Sequence, residues 1–201
     1  ARTAAYKPTT LTHEQAAALP LVTITAWESL HDRARLHPRE TVLIHAGAGG
    51  VGHIAIQLAK LHGSRVITTA SKDDSIALCE QLGADVIINY EKEDFVERVM
   101  KETNNRGCEV IVDTVGYDVF ERSLKCIAPC GRIVTMVNVK SEGVTDALYT
   151  KNASLHYEFM PWSTIYQLDL QHQEQLLTTA AELIDAGKLK PHVSKIFDLE
   201  N

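Results

Sequence analysis

Apolar positions along the chain follow two alternating periods. Residues 41–46, 65–70, 85–89, 109–113 and 131–137 are short runs, nearly all apolar and rich in β-branched side chains. Between them the apolar residues space out at helical intervals, as in Ile54, Ile56, Leu58, Ala59 and Leu61. Strands that are apolar on both sides suit a parallel sheet with helices over each face, because such strands meet no water. The spacing predicts helices over 51–61, 72–82, 94–103, 117–127 and 170–186, and a sixth strand over 154–158. Gly63, Gly83 and Gly187 stand where a helix C-terminus favours glycine. Ahead of this alternation, residues 1–12 read as irregular. Thr12 is placed to cap a helix with Gln15 as its reciprocal partner. Pro20 interrupts that pattern, a second helical stretch covers 23–36, and 37–40 is a turn. Strands alternating with helices of this length imply βαβ units: an α/β fold with a doubly wound, parallel, six-stranded sheet.

The segment His45-Ala46-Gly47-Ala48-Gly49-Gly50-Val51-Gly52 joins the first of these strands to its helix. Gly47, Gly49 and Gly52 fit G-x-G-x-x-G in the context that the motif requires, after a buried strand and at the opening of a helix. In a Rossmann-type fold a turn this tight needs glycine's backbone freedom. A side chain at the middle glycine would collide with a pyrophosphate, and the last glycine lets the helix approach the sheet. The helix N-terminus then offers unpaired N–H groups to phosphate. The alternative is a turn whose glycines serve packing alone. No Gly-Lys-Ser or Gly-Lys-Thr follows, which excludes a nucleoside-triphosphate loop.

The end of the second strand decides between dinucleotides. An NAD site carries an acid there to hold the ribose hydroxyls. Here the strand ends Thr69-Ala70-Ser71-Lys72, with no acid at the tip. Asp73 and Asp74 come slightly later and fit first-turn acids of the next helix, with Ser71 as its cap. On that reading Ser71 and Lys72 face a 2′-phosphate, and NADPH is the cofactor. The alternative for Lys72 is a solvated surface lysine.

Composition narrows the partners. With 20 basic and 26 acidic side chains the formal charge is -6, which argues against a nucleic-acid or anionic-membrane surface. No apolar run approaches the roughly 18 residues that span a bilayer. Together with an N-terminus lacking a signal-like apolar core, this makes a cytoplasmic location the default expectation. Cys79, Cys108, Cys126 and Cys130 show no paired C-x-x-C spacing, so neither a zinc knuckle nor a disulfide framework is expected.

The segment from Val42 to Gly52, followed by Ile56-Gln57-Leu58-Ala59-Lys60, resembles the medium-chain dehydrogenase/reductase superfamily in its quinone oxidoreductase and zinc-type alcohol dehydrogenase-like branch. Ala16-Ala17-Ala18-Leu19-Pro20, Thr25-Ala26-Trp27, Leu82-Gly83-Ala84-Asp85, Asn89-Tyr90, Val112-Asp113-Thr114-Val115-Gly116 and Gly131-Arg132-Ile133-Val134 match in the same order. Family members carry a GroES-like catalytic domain ahead of the cofactor domain and return to it afterwards. The resemblance therefore implies that residues 1–22 end the catalytic part, 23–190 form the cofactor domain and 191–201 begin the return. On that view the run from Lys195 to Asn201 is a strand cut short.

The resemblance also assigns a site. It implies pyrophosphate contacts at Gly49, Gly50 and Val51 in the turn opened by Gly47. Ser71, Lys72 and Tyr90 surround the 2′-phosphate, and Thr25, Val115, Gly116 and Asn138 lie along the nicotinamide. Two departures matter. Quinone reductases often hold the 2′-phosphate with a lysine at the position of Ser75, for which Lys72 substitutes. Zinc-dependent relatives place a cysteine ligand at the position of Leu21, and without that thiolate no catalytic zinc is expected. The implied activity is zinc-independent, NADPH-dependent reduction of a quinone or activated alkene. A non-catalytic dinucleotide-binding module and part of a zinc alcohol dehydrogenase are the alternatives. No catalytic residue is named. His45 is either a proton shuttle or a packing residue. Tyr157, Met160 and Trp162 are read as core or dimer contacts, and the edge strand at 153–158 as a homodimer contact.

Overall fold

Six strands make one sheet in the computed structural model, which describes residues 3–139 and 143–197. They are β1 (Thr41–Ile44), β2 (Arg65–Ala70), β3 (Val86–Asn89), β4 (Cys108–Asp113), β5 (Ile127–Thr135) and β6 (Ser154–Tyr157). The order β3-β2-β1-β4-β5-β6 places β1 beside β4, and every pairing is parallel. The chain thus winds outward from β1 in both directions, as the strand pattern predicts.

Alternation along each strand sorts its side chains between two cores. Val42, Ile44, Val66, Val110, Val112 and Val134 face one core, and Leu43, Ile67, Ile111 and Ile133 the other. The first is closed by α2 (Pro20–Trp27), α3 (Gly50–Leu61), α4 (Asp73–Gln81) and α9 (Leu170–Asp185), through Ala26, Ile54, Ile56, Leu58, Cys79, Ala180 and Ile184. The second is closed by α5 (Phe95–Glu102) and α6 (Tyr117–Ser123), through Phe95, Val99 and Phe120. Burial on both faces is why the strands lack a polar side.

Several local features depart from the pattern-based expectation. Pro20 does not end a helix but opens α2 at its first position, where its missing N–H has no intrahelical partner to lose. The helix continues as a π-helical segment, Glu28–Arg33, closed by Ala34 N–H donating to Ser29 O. α6 stops at Ser123, short of 127, because the chain turns through Leu124–Cys126 to start β5 at Ile127. Lys72, not Ser71, is the N-cap of α4, and no side chain bonds its first turn. Residues 191–197 form no strand, and 198–201 lie outside the described residues. Two helices were not read from the sequence, α7 (Val144–Thr150) and α8 (Trp162–Tyr166). The capping box at α1 (His13–Ala17) forms as read, with Thr12 and Gln15 exchanging bonds.

Ion pairs and caps lock the outer segments to this frame. Arg132, in the second half of β5, reaches Glu40 with both terminal nitrogens, at 2.9 and 2.7 Å, and donates to Ala34 O. The Asp185 carboxylate accepts from the backbone and hydroxyl of both Thr9 and Thr10, which holds its pKa far below the usual carboxylate range. Gln57 on α3 exchanges two hydrogen bonds with the Lys190 backbone, fixing the segment after α9.

Candidate cofactor site

The glycine turn owes its shape to space rather than to backbone angle. Ala46, not a glycine, takes the left-handed conformation, with φ of 51°. Thr69 holds that bend: its hydroxyl accepts from Ala46 N–H at 3.0 Å and its carbonyl from Gly47 N–H at 3.0 Å. A Cβ on Gly47 would stand 2.2 Å from Thr68 Oγ1, and one on Gly52 would stand 2.3 Å from Ala46 O. These two glycines let the helix start touch the sheet. At Gly49 a Cβ would meet only Ala46, at 3.0 Å from its carbonyl oxygen, and at Gly50 only Val22 Cγ1, at 3.1 Å. The outer side of the turn is therefore open at Gly49. Gly49 caps α3 with no side-chain bond to the first turn. The N–H groups at Gly50 and Val51 point out of that helix end, where an anion is favoured. This cradle fits a dinucleotide pyrophosphate.

Beside the turn, the carboxyl ends of β1, β2 and β4 border a cleft of about 340 Å³, walled by His45, Thr69, Tyr90, Phe95, Val115 and Arg122. Arg122 lies over the Phe95 ring, 4.4 Å from its centre, and pairs with Asp94 at 2.8 Å. His45 is buried at the cleft floor. Its Nε2 lies 2.9 Å from Ser123 Oγ, and its ring meets Phe95 edge-on. Because Ser123 Oγ donates to Val119 O, the imidazole must donate through Nε2, which assigns the tautomer. Burial pushes the His45 pKa down to about 4, with Asp113 opposing and Arg122 adding to the shift. A neutral, fully bonded imidazole of this kind serves architecture rather than proton transfer.

The remaining sequence-derived residues fall into three groups. Ser71 Oγ donates to Tyr90 Oη at 3.0 Å, and Asn89 Nδ2 donates to Ser71 O, so the ends of β2 and β3 form one polar rim. Lys72 follows on that rim, exposed. Val115 shares the cleft with Tyr90, whereas Gly116 lies against Val137, the neighbour of exposed Asn138. Thr25 is buried on α2, where its hydroxyl donates to Leu21 O at 2.8 Å.

Asp113 was missed by sequence reading. It is fully buried, accepts from Val115 N–H and Gly116 N–H through Oδ1, and accepts from Thr135 Oγ1 through Oδ2. It therefore shapes the loop that carries Val115 and Gly116, where Gly116 has φ of 78°. An acid at a strand end, two residues before Val-Gly, was the available signal.

Residues 50–160 match the family model for zinc-binding dehydrogenases. A zinc-type alcohol dehydrogenase-like protein of Staphylococcus epidermidis is 36% identical over 200 residues, covering 95% of this chain and 59% of that protein. An alcohol dehydrogenase superfamily protein of Novosphingobium aromaticivorans superposes with a TM-score of 0.87 at 34% identity, over 94% of this chain and 56% of that one. The Escherichia coli quinone oxidoreductase, solved in complex with NADPH, superposes with a TM-score of 0.85 at 30% identity, over 96% and 60%. The chain thus spans well under two thirds of the length of these relatives. Sequence, sheet order and glycine turn agree: the chain belongs to the medium-chain dehydrogenase/reductase superfamily, in its quinone oxidoreductase branch.

Proposed function

We propose that the chain binds NADPH across the carboxyl ends of its strands and supplies the cofactor half of a zinc-independent reductase acting on a quinone or activated alkene. The observation that carries this reading is the turn between β1 and α3, which combines an open side at Gly49 with an uncapped helix start. NADPH supplies a hydride when bound. The N–H groups of Gly50 and Val51 hold the pyrophosphate, and Gly47 and Gly52 keep the turn close to the sheet. Ser71, Lys72 and Tyr90 receive the 2′-phosphate at the rim of β2 and β3, with Lys72 as its counter-charge. Asp113 orients the Val115–Gly116 loop toward the nicotinamide side, where Thr25 and Asn138 complete the wall. Leu21 is more than half exposed and offers no metal ligand, which supports hydride transfer without a catalytic zinc. The outer edge of β6 pairs with a second copy of the chain.

Calorimetric titration with NADPH and with NADH tests this reading. Binding of NADPH at least about tenfold tighter, with the difference lost in Lys72→Ala, is the expected result. Equal or NADH-preferring binding would remove the 2′-phosphate assignment, and binding of neither would remove the cofactor site.

A further inference from the structure

Three metal-capable side chains converge outside the cofactor site. Glu28 and Asp32 lie on the π-helical segment, and His172 lies on the first turn of α9. A carboxylate oxygen from each acid and a ring nitrogen of His172 all fall within 4.8 Å of one another. His172 Nε2 and Asp32 Oδ2 are 2.7 Å apart.

A second observation points into this cluster. Glu28 is only 2% exposed, yet its Oε2 has no hydrogen-bond partner. A buried carboxylate oxygen without a donor is costly, and proteins relieve it with a proton, a cation or a metal. The Glu158 carboxyl, itself wholly buried, faces Glu28: burial first, and the Glu28 carboxyl next, raise the Glu158 pKa, so the two acids share a proton where no cation is bound. Arg33 Nε donates to Glu158 Oε2 at 3.0 Å, and Glu158 Oε1 has no other partner. Local positive charge is therefore short. The π-helical segment adds weight, because such segments are rare and are found frequently at functional sites.

We propose that Glu28, Asp32 and His172 bind one divalent transition-metal ion. One imidazole nitrogen with two carboxylate oxygens suits Zn²⁺, Co²⁺ or Mn²⁺ better than Ca²⁺ or Mg²⁺, which favour all-oxygen shells. Bonds of about 2.0–2.2 Å put two ligands of a tetrahedral ion about 3.3–3.6 Å apart, so the 2.7 Å Asp32–His172 pair must open and any separation near the 4.8 Å bound must close. Asp32 and His172 have side chains 32% exposed, which gives them room to turn and leaves access for a water as fourth ligand. The set has no thiolate and shares no residue with the cofactor site. The ion's role is accordingly structural: it ties α9 to the segment that continues α2, joining residues 140 positions apart. The ligands become legible only after folding brings them together.

The test is titration of the tag-free, metal-stripped chain with Zn²⁺ by calorimetry and with Co²⁺ by visible absorption, together with thermal unfolding. One-to-one binding is expected, with the visible bands of a low-symmetry four- or five-coordinate Co²⁺ and a higher thermal midpoint in Zn²⁺. Asp32→Asn and His172→Ala alter partly exposed side chains and should fold. Each should weaken Zn²⁺ binding at least about tenfold and abolish the thermal gain. Glu28→Gln should do the same. The proposal is overturned if neither ion binds stoichiometrically, or if Asp32→Asn and His172→Ala bind as tightly as the parent chain, since the ion would then sit elsewhere.

Discussion

At Gly52 an added methyl would meet the Ala46 carbonyl at 2.3 Å and Gly47 Cα at 2.8 Å, backbone atoms that cannot rotate away. At Gly49 the only close contact would be 3.0 Å. The two positions should therefore answer differently to the same change. Gly52→Ala forces the start of α3 off the sheet and should cost about 1–3 kcal/mol in urea unfolding. Gly49→Ala, whose methyl needs Ala46 O to give by only a few tenths of an ångström, should lower the urea midpoint far less than Gly52→Ala yet weaken NADPH binding at least about tenfold, because that methyl occupies the open side of the turn. Similar behaviour of the two variants would mean that all these glycines serve packing. His45 supplies a pH test. Its pKa is about 4 in the fold, against about 6.5 in the unfolded chain. The unfolded state thus takes up the proton first. Stability is complete above pH 6.5 and is lost as pH falls from 6.5 toward 4, by on the order of 3 kcal/mol. Urea midpoints measured from pH 4 to 8 should show that acid limb, and His45→Gln should flatten it.

Among the elements, the inner strands were legible because a strand buried on both faces must be apolar throughout, and Val42, Leu43 and Ile44 leave no other assignment. α7 and α8 carried no such mark: they are short and have no side-chain cap at Gly143 or Pro161. The π-helical segment was illegible for a different reason. It buries three consecutive residues, Glu28, Ser29 and Leu30, a pattern that no period of 3.6 residues records. At the site, glycine spacing was readable, but the reason for Gly47 was not, since Thr68 and Cys79 meet it only after β2 and α4 are placed. β6 yields a prediction at this scale. Glu158 N–H donates to Thr135 O, so by alternation the N–H groups of Leu155 and Tyr157 point away from β5, along the free edge. Tyr157→Pro would remove one outward donor without touching the β5 ladder. Sedimentation should show a dimer for the parent chain and a monomer for this variant, with thermal unfolding of the monomer little changed. A monomeric parent would remove the edge-pairing proposal.

For the whole molecule, the cofactor contacts proposed here all lie within a chain that spans 59% of its Staphylococcus epidermidis relative. Binding and turnover should therefore separate. Hydride transfer needs the nicotinamide side closed against water and a substrate held over it. In this chain the side proposed for the nicotinamide is open: Val115 and Asn138 are exposed, and Tyr117 is 80% exposed. Leu21, Phe159, Ile165, Tyr166 and Leu168 are each more than half exposed, an apolar display that further protein would cover. Two samples make the comparison, this chain and a version extended to the length of its relatives. Both should bind NADPH with similar affinity, since the glycine turn and the Ser71–Tyr90 rim are common to both. NADPH oxidation by a simple quinone should be fast only in the longer one, with the chain alone slower by at least about a hundredfold, the scale expected when substrate positioning is lost. Equal rates would mean that the open face is already a complete active site. Oxidation by neither, with NADPH binding intact, would favour a dinucleotide-binding module without turnover.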